Sequence, residues 1–488
     1  MKSLRQASLS GARWTLIARI GLQLITWPIT LLVMRLLEPD DYGLFAMAML
    51  VSGFITLFSE LGLGVALVQA VQVSPEQQRA AASVLLLLNA AIALAIIAVA
   101  PLVAWVFKEP EVTLVMWVLT AELLMAAWAM VPLAMLERAL KFREISIAQI
   151  SGGVAGSLAT LAAAWVDVDV WALVAGTLTT AAVRGVVCIY FHGGLVLPGR
   201  VRMETLRPMV KISSHVLAVR GLWYWSGQAD QLVLGRMLYA QALGFYNVAA
   251  QLAMLPAGKA MEVVNRVSLP VLSRLQSDAA GVRWTYRRLV GLLALYGMGV
   301  CWGLAAVAPE FVELVLGAKW LPAAVPLALL SLVAPLRMFC AFNNTVVTAC
   351  GRPEAATREL ALASVLLPTA VGAGAWFGGL RGASLAWVAA YPAVYLVSTH
   401  LTARAIGLHR RHALSAMWRP LLAGAVMLGA VTLVRHALGT EVPVGWRLAA
   451  GIATGALVYM ASIWLLARAL VLDTRALVLD ILRPQRNP

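Results

Sequence analysis

Residues 80–106 read AAASVLLLLNAAIALAIIAVAPLVAWV, a stretch without a charged side chain. An apolar helix of roughly 20 residues can cross the ~30 Å hydrocarbon core of a bilayer. Similar stretches recur along all 488 residues, of which 61% are hydrophobic and 12% are charged, with a mean hydropathy of +0.84. Soluble domains are about 45–50% apolar and about 25% charged. The sequence therefore predicts an integral membrane protein without a sizeable soluble domain.

The apolar stretches predict an all-α polytopic membrane protein with about fourteen transmembrane helices. The predicted helices lie near residues 13–37, 42–69, 80–106, 112–136, 146–166, 169–192, 212–236, 242–268, 286–308, 322–348, 357–379, 382–405, 414–436 and 446–470.

The basic residues are distributed unevenly over the loops between these helices. With the N-terminus inside, 26 Lys and Arg fall on inner loops and tails and seven fall on outer loops. Because cytoplasmic loops carry the excess of Lys and Arg, this distribution predicts that both termini are cytoplasmic and that the number of spans is even. The net charge of +15 is then explained by membrane topology, and nucleic acid is not an expected partner.

A segment of the chain repeats at an offset of about 201 residues. Arg35-Leu36-Leu37 followed by Gly43-Leu44-Phe45 corresponds to Arg236-Met237-Leu238 followed by Gly244-Phe245-Tyr246. Both copies lie where one predicted helix ends and the next begins. Chance similarity of short apolar strings is the alternative. The matching position favours two six-helix lobes related by pseudo-two-fold symmetry, predicted at 1–200 and 201–410, with two further helices and a tail at 411–488.

Several charged residues fall inside predicted helices, where each costs about 2.5–3.5 kcal/mol at the bilayer centre. We expect them to face a water-filled cavity or a partner. Snorkelling toward a helix end is the alternative for Arg184 and Lys259. The charged residues inside helices are Arg19, Arg184, Arg220, Lys259, Arg337, Glu60, Glu122, Asp230 and Glu262. Polar residues at helical spacing accompany them, notably Gln23, Tyr224, Gln231 and Asn344.

Motifs for enzymatic chemistry are missing from the sequence. It has no HExxH, Walker A or GxGxxG motif, which excludes transport driven by ATP hydrolysis within this chain. The predicted inner loops, the longest near 193–211 and 269–285, are too short for a catalytic domain. The four cysteines form no CxxC pair, so neither a metal site nor a disulfide framework is expected. No cofactor and no enzymatic activity are predicted.

Several strings resemble those of one known family. They are Ser10-Gly11-Ala12-Arg13-Trp14, Ser59-Glu60-Leu61-Gly62, Leu136-Glu137-Arg138-Ala139-Leu140-Lys141-Phe142-Arg143, the run from Leu234-Gly235-Arg236 to Pro270, and Gly317-Ala318-Lys319-Trp320 ahead of Gly351-Arg352. The chain resembles the Wzx-type polysaccharide flippases of the multidrug/oligosaccharidyl-lipid/polysaccharide superfamily, in particular colanic-acid-exporter-like lipopolysaccharide biosynthesis proteins. Recognisable strings cover roughly residues 10–360.

This resemblance implies a bacterial inner-membrane transporter with two lobes around a cationic cavity. It implies alternating access and transfer of an undecaprenyl-diphosphate-linked oligosaccharide from the cytoplasmic to the periplasmic leaflet. Membrane lipids, a polysaccharide polymerase and export machinery are the further partners that it implies. The predicted product pathway is exopolysaccharide or lipopolysaccharide biosynthesis.

The candidate binding residues follow from the charge of a diphosphate, which needs Arg or Lys. Candidates for the cationic cavity are Arg19, Arg220, Arg337, Lys259, Tyr224, Gln231 and Asn344. Asp230, Glu60 and Glu122 are candidates for ion coupling or for pairing with those bases, and Glu60 is an alternative structural partner of Arg220.

Three other functions remain to be weighed. A multidrug or cation exporter of the same superfamily should have an acidic cavity, whereas these helices carry more bases than acids. A peptidoglycan-precursor flippase has the same charge requirement and stays open. A membrane-embedded glycosyltransferase or polymerase usually needs a large periplasmic loop, and no predicted outer loop is longer than about a dozen residues.

Overall fold

The computed structural model describes residues 21–59, 63–70, 72–199, 214–276, 278–409, 411, 415 and 417–482. Within these ranges the chain is helical, with turns and short connections and no β-strand. Its internal contacts divide it into two compact units, Met1–Gly244 and Phe245–Pro488. The lobe boundaries predicted from the repeat, 1–200, 201–410 and 411–488, remain predictions.

The helices of the first unit pack as neighbouring antiparallel pairs. They are α1 (described over Gly21–Leu36), α2 (Pro39–Thr56), α3 (Leu63–Gln69), α4 (Pro75–Phe107), α5 (Glu111–Arg138), α6 (Phe142–Trp165), α7 (Trp171–His192) and the beginning of α8 (Ser214–Arg274). The α4 helix packs on α5, and α7 packs on both α5 and α6. At Gly156 an added Cβ would lie 1.8 Å from the Thr180 Oγ1 atom, so small residues allow this close approach.

The second unit continues α8 and adds further helices. They are α9 (Ala279–Ala306), α10 (Ala308–Phe311), a π-helix (Val312–Leu316), a 3₁₀-helix (Ala318–Ala323), α11 (Ala324–Ala349), α12 (Pro353–Ala405), α13 (Trp418–Leu438) and α14 (Val444–Leu482). The α11 helix packs between α9 and α12, and α13 packs on α9 and α14.

Two long helices are each broken into two arms. In α8 the break is at Tyr239, whose φ of 65° and ψ of −178° are not helical. In α12 it is at Gly378 and Gly379, and the positive φ of 55° at Gly379 is one that glycine adopts without strain. The arms of α12 then return alongside each other, because Gly374 and Gly382 let the two backbones meet. The break in α8 falls between two predicted helices, and the break in α12 falls at the last two residues of the helix predicted over 357–379.

The described residues contain nine helices that are long and apolar enough to span a membrane, or ten if the bent pair Gly21–Leu36 and Pro39–Thr56 is one span. These helices confirm the all-α polytopic membrane class. The number of fourteen spans and the pseudo-two-fold relation of two lobes stay predictions.

Several predicted helix boundaries were wrong. The helix predicted over 42–69 ends at Thr56, where Leu57, Phe58 and Ser59 donate to carbonyls three residues back, and helix resumes at Leu63. The α4 helix begins before residue 80, because Ser74 and Gln77 form a capping box.

The inner loop predicted over 269–285 is also shorter in the structure. The α8 helix continues to Arg274, and α9 begins at Ala279 after the N-cap residue Asp278. The Asp278 carboxylate accepts the backbone N–H groups of Ala280 and Gly281. This cap lets the helix start within residues whose polarity had favoured a loop.

The two repeated segments contact each other within the first unit. A Cβ added to Gly43 would lie 1.9 Å from the Ala240 carbonyl oxygen, and one added to Gly244 would lie 1.8 Å from the Pro39 carbonyl oxygen. Pro39 and Ala240 differ by the same 201 positions as Gly43 and Gly244. The contact is therefore reciprocal, and it requires the two glycines that identified the repeat.

A carboxylate supports this contact from the loop between α4 and α5. The backbone N–H of Ala240 donates to the Glu109 side chain. Burial raises the pKa of Glu109, this hydrogen bond lowers it, and the charges of Asp40 and Glu111 raise it. The beginning of the second arm of α8 is thus capped by a side chain from another part of the first unit.

Candidate functional site

Arg337 lies in α11 against an aromatic stack provided by α12. Its guanidinium carbon is 4.8 Å from the centroid of the Trp387 ring, and Trp387 stacks on Tyr391 with centroids 5.6 Å apart. Trp387 is 2% exposed, so this cation–π contact is shielded from water. No described carboxylate pairs with Arg337. The aromatic ring holds the guanidinium group by its face and does not use its N–H groups. These N–H groups can therefore bind an anionic ligand.

A buried carboxyl group lies close by on the same two helices. Ser398 Oγ donates to Glu359 Oε2 at 2.8 Å, Asn343 Nδ2 donates to Ser398 Oγ at 3.1 Å, and Tyr286 Oη donates to Asn343 Oδ1 at 2.9 Å. The Asn344 side chain also hydrogen-bonds to Glu359. We call these five residues the Glu359 cluster. A carboxyl group that is 6% exposed and held by such donors can bind a proton or a small cation.

Glu359 was not among the predicted site residues. It is the third residue of the helix predicted over 357–379. The signal that could have found it is the pairing of an acid in one predicted helix with Ser398 and Thr399 in the next. Asn344 was predicted as a contact in the cationic cavity, and the structure places its side chain on Glu359.

Tyr224 joins the first arm of α8 to α2 in the first unit. Its hydroxyl group donates to the Leu50 carbonyl oxygen at 2.7 Å, and its ring lies 5.8 Å from that of Phe54. It also borders a groove of about 220 Å³ that is almost wholly apolar. The groove is lined by Leu50, Val51, Phe54, Tyr224, Trp225, Gln228, Ala229 and Leu232. Gln231 is nearby and donates to the side chain of Gln228 at 2.6 Å.

Glu122 lies at a second cavity of the first unit, with a volume of about 150 Å³. Ser52 and Thr56 from α2 line the same cavity. The positive charge of Arg184 on α7 acts on the Glu122 carboxylate. This carboxylate therefore borders a cavity that two hydroxyl groups also line, and a nearby base acts on its charge. Asp230, the other predicted acid of this unit that the structure describes, is 7% exposed.

Lys259 is part of a surface ion-pair group on the second arm of α8. Its Nζ is 3.8 Å from Glu262, which is also 3.1 Å from Arg266. These side chains are between 33% and 47% exposed. Exposed pairs of this kind typically contribute less than about 1 kcal/mol. Lys259 thus has a local partner, in contrast to Arg337.

The structure does not describe the side chains of three predicted site residues. Arg19 and Glu60 lie outside the residues that the structure describes. Arg220 lies in the helical backbone of α8, and its side chain is outside the description. Of the three arginines predicted to bind the anionic headgroup, the structure locates Arg337. Within the described residues, no group of three or more His, Cys, Asp or Glu side chains could hold a metal ion.

The apolar helices with polar groups buried among them define the class, a polytopic membrane protein with a transporter fold. A solved structure of the lipid II flippase MurJ, in an inward closed conformation, superposes with a TM-score of 0.72, at 12% identity, over 94% of this chain and 99% of that one. At this identity the likeness concerns the fold.

The chain belongs to the polysaccharide biosynthesis protein family, whose model matches residues 32–325. The lipopolysaccharide biosynthesis protein WzxC of Escherichia coli is 23% identical over 446 residues, 90% of this chain and 88% of its own length. The succinoglycan biosynthesis transport protein ExoT of Rhizobium meliloti is 24% identical over 477 residues, 94% and 93% of the two chains. The resemblance found in the sequence is thereby confirmed.

Proposed function

We propose that the chain is a secondary flippase for polysaccharide biosynthesis. It moves an oligosaccharide repeat unit, linked to undecaprenyl diphosphate, from the cytoplasmic to the periplasmic leaflet. One observation carries the proposal: a family of polysaccharide biosynthesis proteins matches residues 32–325, and relatives of that kind align with nearly the whole chain. No covalent step belongs to this function, so no catalytic residue is assigned.

Arg337 is the proposed first contact for the diphosphate within the second unit. The Trp387 ring contacts the face of the guanidinium group, so the N–H groups at its edge can donate to phosphate oxygens. Arg can bind two such oxygens at once. Arg19 and Arg220 are proposed as further contacts for the diphosphate, because the sequence places them inside apolar helices. Tyr224, Gln231 and Asn344 are the remaining proposed contacts, although Tyr224 and Asn344 already have intramolecular partners. Lys259, which is paired with Glu262 at the surface, is no longer proposed as a contact.

The Glu359 cluster is the proposed coupling site. A buried carboxyl group in a membrane helix is costly unless it is neutralised or paired. Binding and release of a proton or a small cation at Glu359 would couple the gradient of that ion to transport. Glu122, which faces the cavity bordered by Ser52 and Thr56, is the corresponding candidate in the first unit. Asp230 and Glu60 remain proposed residues for ion coupling or for pairing with the bases, because the sequence places them inside apolar helices.

Alternating access requires one closed contact to open. We assign this role to the reciprocal contact of Gly43 and Gly244, which lies at the ends of α1 and of the first arm of α8 that are proposed to face the periplasm. In the proposed orientation both termini are cytoplasmic and the protein lies in the bacterial inner membrane. A polysaccharide polymerase and export machinery are the proposed partners that use the product.

A deletion strain tests the proposal. Loss of the gene should abolish one surface or secreted polysaccharide, and its lipid-linked repeat units should accumulate on the cytoplasmic side. An unchanged polysaccharide together with raised sensitivity to cationic drugs would contradict the proposal and favour a multidrug exporter. Accumulation of lipid-linked peptidoglycan precursor, with cell lysis, would instead favour a peptidoglycan-precursor flippase.

A further inference from the structure

A pocket with three arginines lies where the two arms of α12 begin and end. It has a volume of about 310 Å³ and is lined by Arg352, Arg358, Arg404, Glu354 and Leu401, with two alanines. Arg352 and Arg358 come from the beginning of the first arm, and Arg404 comes from the end of the second. We call it the arginine pocket.

The two helix ends that form the pocket are held together from inside. Ser398 and Glu359 join the arms by a buried hydrogen bond of 2.8 Å. These two residues lie within two turns of Arg404 and Arg358 along their arms. The spacing of the arginines is therefore set by the Glu359 cluster, and the pocket is a feature of the packed helices.

The arginines of the pocket have no carboxylate partner among the described residues. Other basic side chains of the second unit do have such partners: Lys259 and Arg266 pair with Glu262, and Arg447 pairs with Glu313. Three guanidinium groups against the one carboxylate of Glu354 leave the pocket with an excess of two positive charges. An excess of this kind attracts a multiply charged anion.

The backbone adds to this positive field. The first arm of α12 begins at Pro353, and its N-cap residue Arg352 offers no side-chain acceptor to the first N–H groups. The N-terminal end of a helix carries a partial positive charge and open N–H donors, which favour phosphate groups. Both the side chains and the helix end thus favour the same ligand charge.

Apolar side chains extend from the pocket along the outer faces of both arms. Val365 lies seven residues after Arg358 on the same helix face, and Val397 lies seven residues before Arg404 on its face. Val365 is 66% exposed, and Leu396, which precedes Val397 on the other arm, is 54% exposed. A ligand with a phosphate headgroup and long acyl or prenyl chains would contact the arginines and these apolar faces at once.

We propose that the arginine pocket binds the phosphate-bearing headgroup of a membrane lipid. Basic pockets between transmembrane helices at the cytoplasmic surface suit anionic headgroups, and Arg is the side chain that binds phosphate oxygens in pairs. The three arginines belong to the loops predicted to be cytoplasmic. The headgroup can come from an anionic phospholipid or from a polyprenyl diphosphate, and the site does not depend on which substrate is transported.

Lipid retention by the purified full-length protein tests this proposal. Native mass spectrometry would measure binding of cardiolipin, undecaprenyl diphosphate and the neutral-headgroup lipid phosphatidylcholine. The triple variant Arg352→Gln/Arg358→Gln/Arg404→Gln should bind the anionic lipids on the order of 100-fold more weakly and bind phosphatidylcholine as before. A matched triple variant at exposed arginines outside the pocket, Arg274→Gln/Arg287→Gln/Arg411→Gln, changes the net charge equally and should bind like the wild type.

The two sources give different results. A loss confined to cardiolipin identifies a phospholipid site, a loss confined to undecaprenyl diphosphate identifies a site for the polyprenyl carrier, and a loss of both identifies a general phosphate site. Equal binding by the pocket variant and the matched variant would overturn the proposal. If the triple variant does not fold, the three single Gln variants, each compared with a single control variant, are judged by the same criterion.

Discussion

The Glu359 cluster and the arginine pocket both include residues from the two arms of α12, and the cluster adds residues from α9 and α11. The two regions differ in whether their charged groups have partners within the chain. In the cluster, Glu359 is 6% exposed and receives hydrogen bonds from side chains of α11 and α12. In the pocket, three exposed arginines meet no described carboxylate partner. The polar groups of the Glu359 cluster therefore bind one another within the chain, whereas the arginines of the pocket are exposed at its surface.

This difference separates two uses of charge in a membrane protein. A buried polar group that is fully hydrogen-bonded holds helices in one arrangement, and it becomes functional when a proton or an ion changes that arrangement. Unpaired bases at a helix end hold little of the fold together and bind ligands instead. Arg337 combines both features, since aromatic rings fix it while its N–H groups stay available.

The largest effect is expected at Glu359. Glu359→Gln keeps the shape and an acceptor for Ser398 but cannot release a proton or carry a charge. We expect polysaccharide export to fall below detection while the protein level in the membrane stays normal. Glu441→Gln, at an exposed loop residue, is the matched control and should export normally. Normal export by Glu359→Gln would show that the cluster is only structural.

Arg337 should have the next largest effect. A charge-assisted hydrogen bond contributes about 1.5–3 kcal/mol, so Arg337→Gln should lower the rate of export roughly 10- to 100-fold. Arg337→Lys should keep part of the activity, because a point charge still binds phosphate. Export rates of both variants, normalised to protein level, measure the effect. Equal rates for Gln and Arg at this position would remove Arg337 from the binding site.

The glycine contact should give a smaller effect that is equal on both sides. Gly43→Ala and Gly244→Ala each place a methyl group against a backbone carbonyl, and overpacking of this kind costs about 1–3 kcal/mol. Thermal unfolding in a neutral detergent should show the same lowered midpoint for both variants. Gly429→Ala, where a Cβ meets nothing within 4 Å, is the control. A harmless Gly244→Ala would contradict the reciprocity of the contact.

The smallest effect is expected at the paired surface base. Lys259→Met removes one partner of Glu262 but leaves Arg266 beside it. Because exposed ion pairs contribute about 0.2–1 kcal/mol, stability and export should both stay close to those of the wild type. Thermal unfolding and an export assay on the same preparation check this. A large loss of export would instead place Lys259 among the substrate contacts.

Much of the fold could be predicted from the sequence because the bilayer restricts what can cross it. Long apolar runs identified the membrane class. The repeat at an offset of 201 residues predicted two lobes, but it did not predict that the repeated segments contact each other at their glycines. The break after Thr56 was missed although Ser59, Glu60 and Gly62 interrupt the apolar run there, because Glu60 was interpreted as a charged residue inside a helix. The early start of α9 was missed because a single cap at Asp278 overrides the polarity of the following residues.

The site was less accessible from the sequence, because partners distant in the chain decide it. Helical spacing placed Tyr224 on a polar face, yet its hydroxyl group is bound to Leu50 of α2. The same reasoning placed Lys259 in a cationic cavity, whereas the structure pairs it at the surface with Glu262, which follows it by three residues. Arg337 was found because a base in an apolar helix is conspicuous, whereas its contact with Trp387 required the packing of α11 on α12.

Flipping by the purified protein is the decisive test of the proposed flippase function. The protein would be reconstituted into vesicles that contain a labelled undecaprenyl-diphosphate oligosaccharide, and a sugar-specific probe would measure how much of it is exposed on each side. The wild type should equilibrate the oligosaccharide between the leaflets, and Arg337→Gln should do so much more slowly. If the wild type leaves the oligosaccharide in its original leaflet while it transports a cationic dye, the chain is a multidrug exporter and the account is wrong.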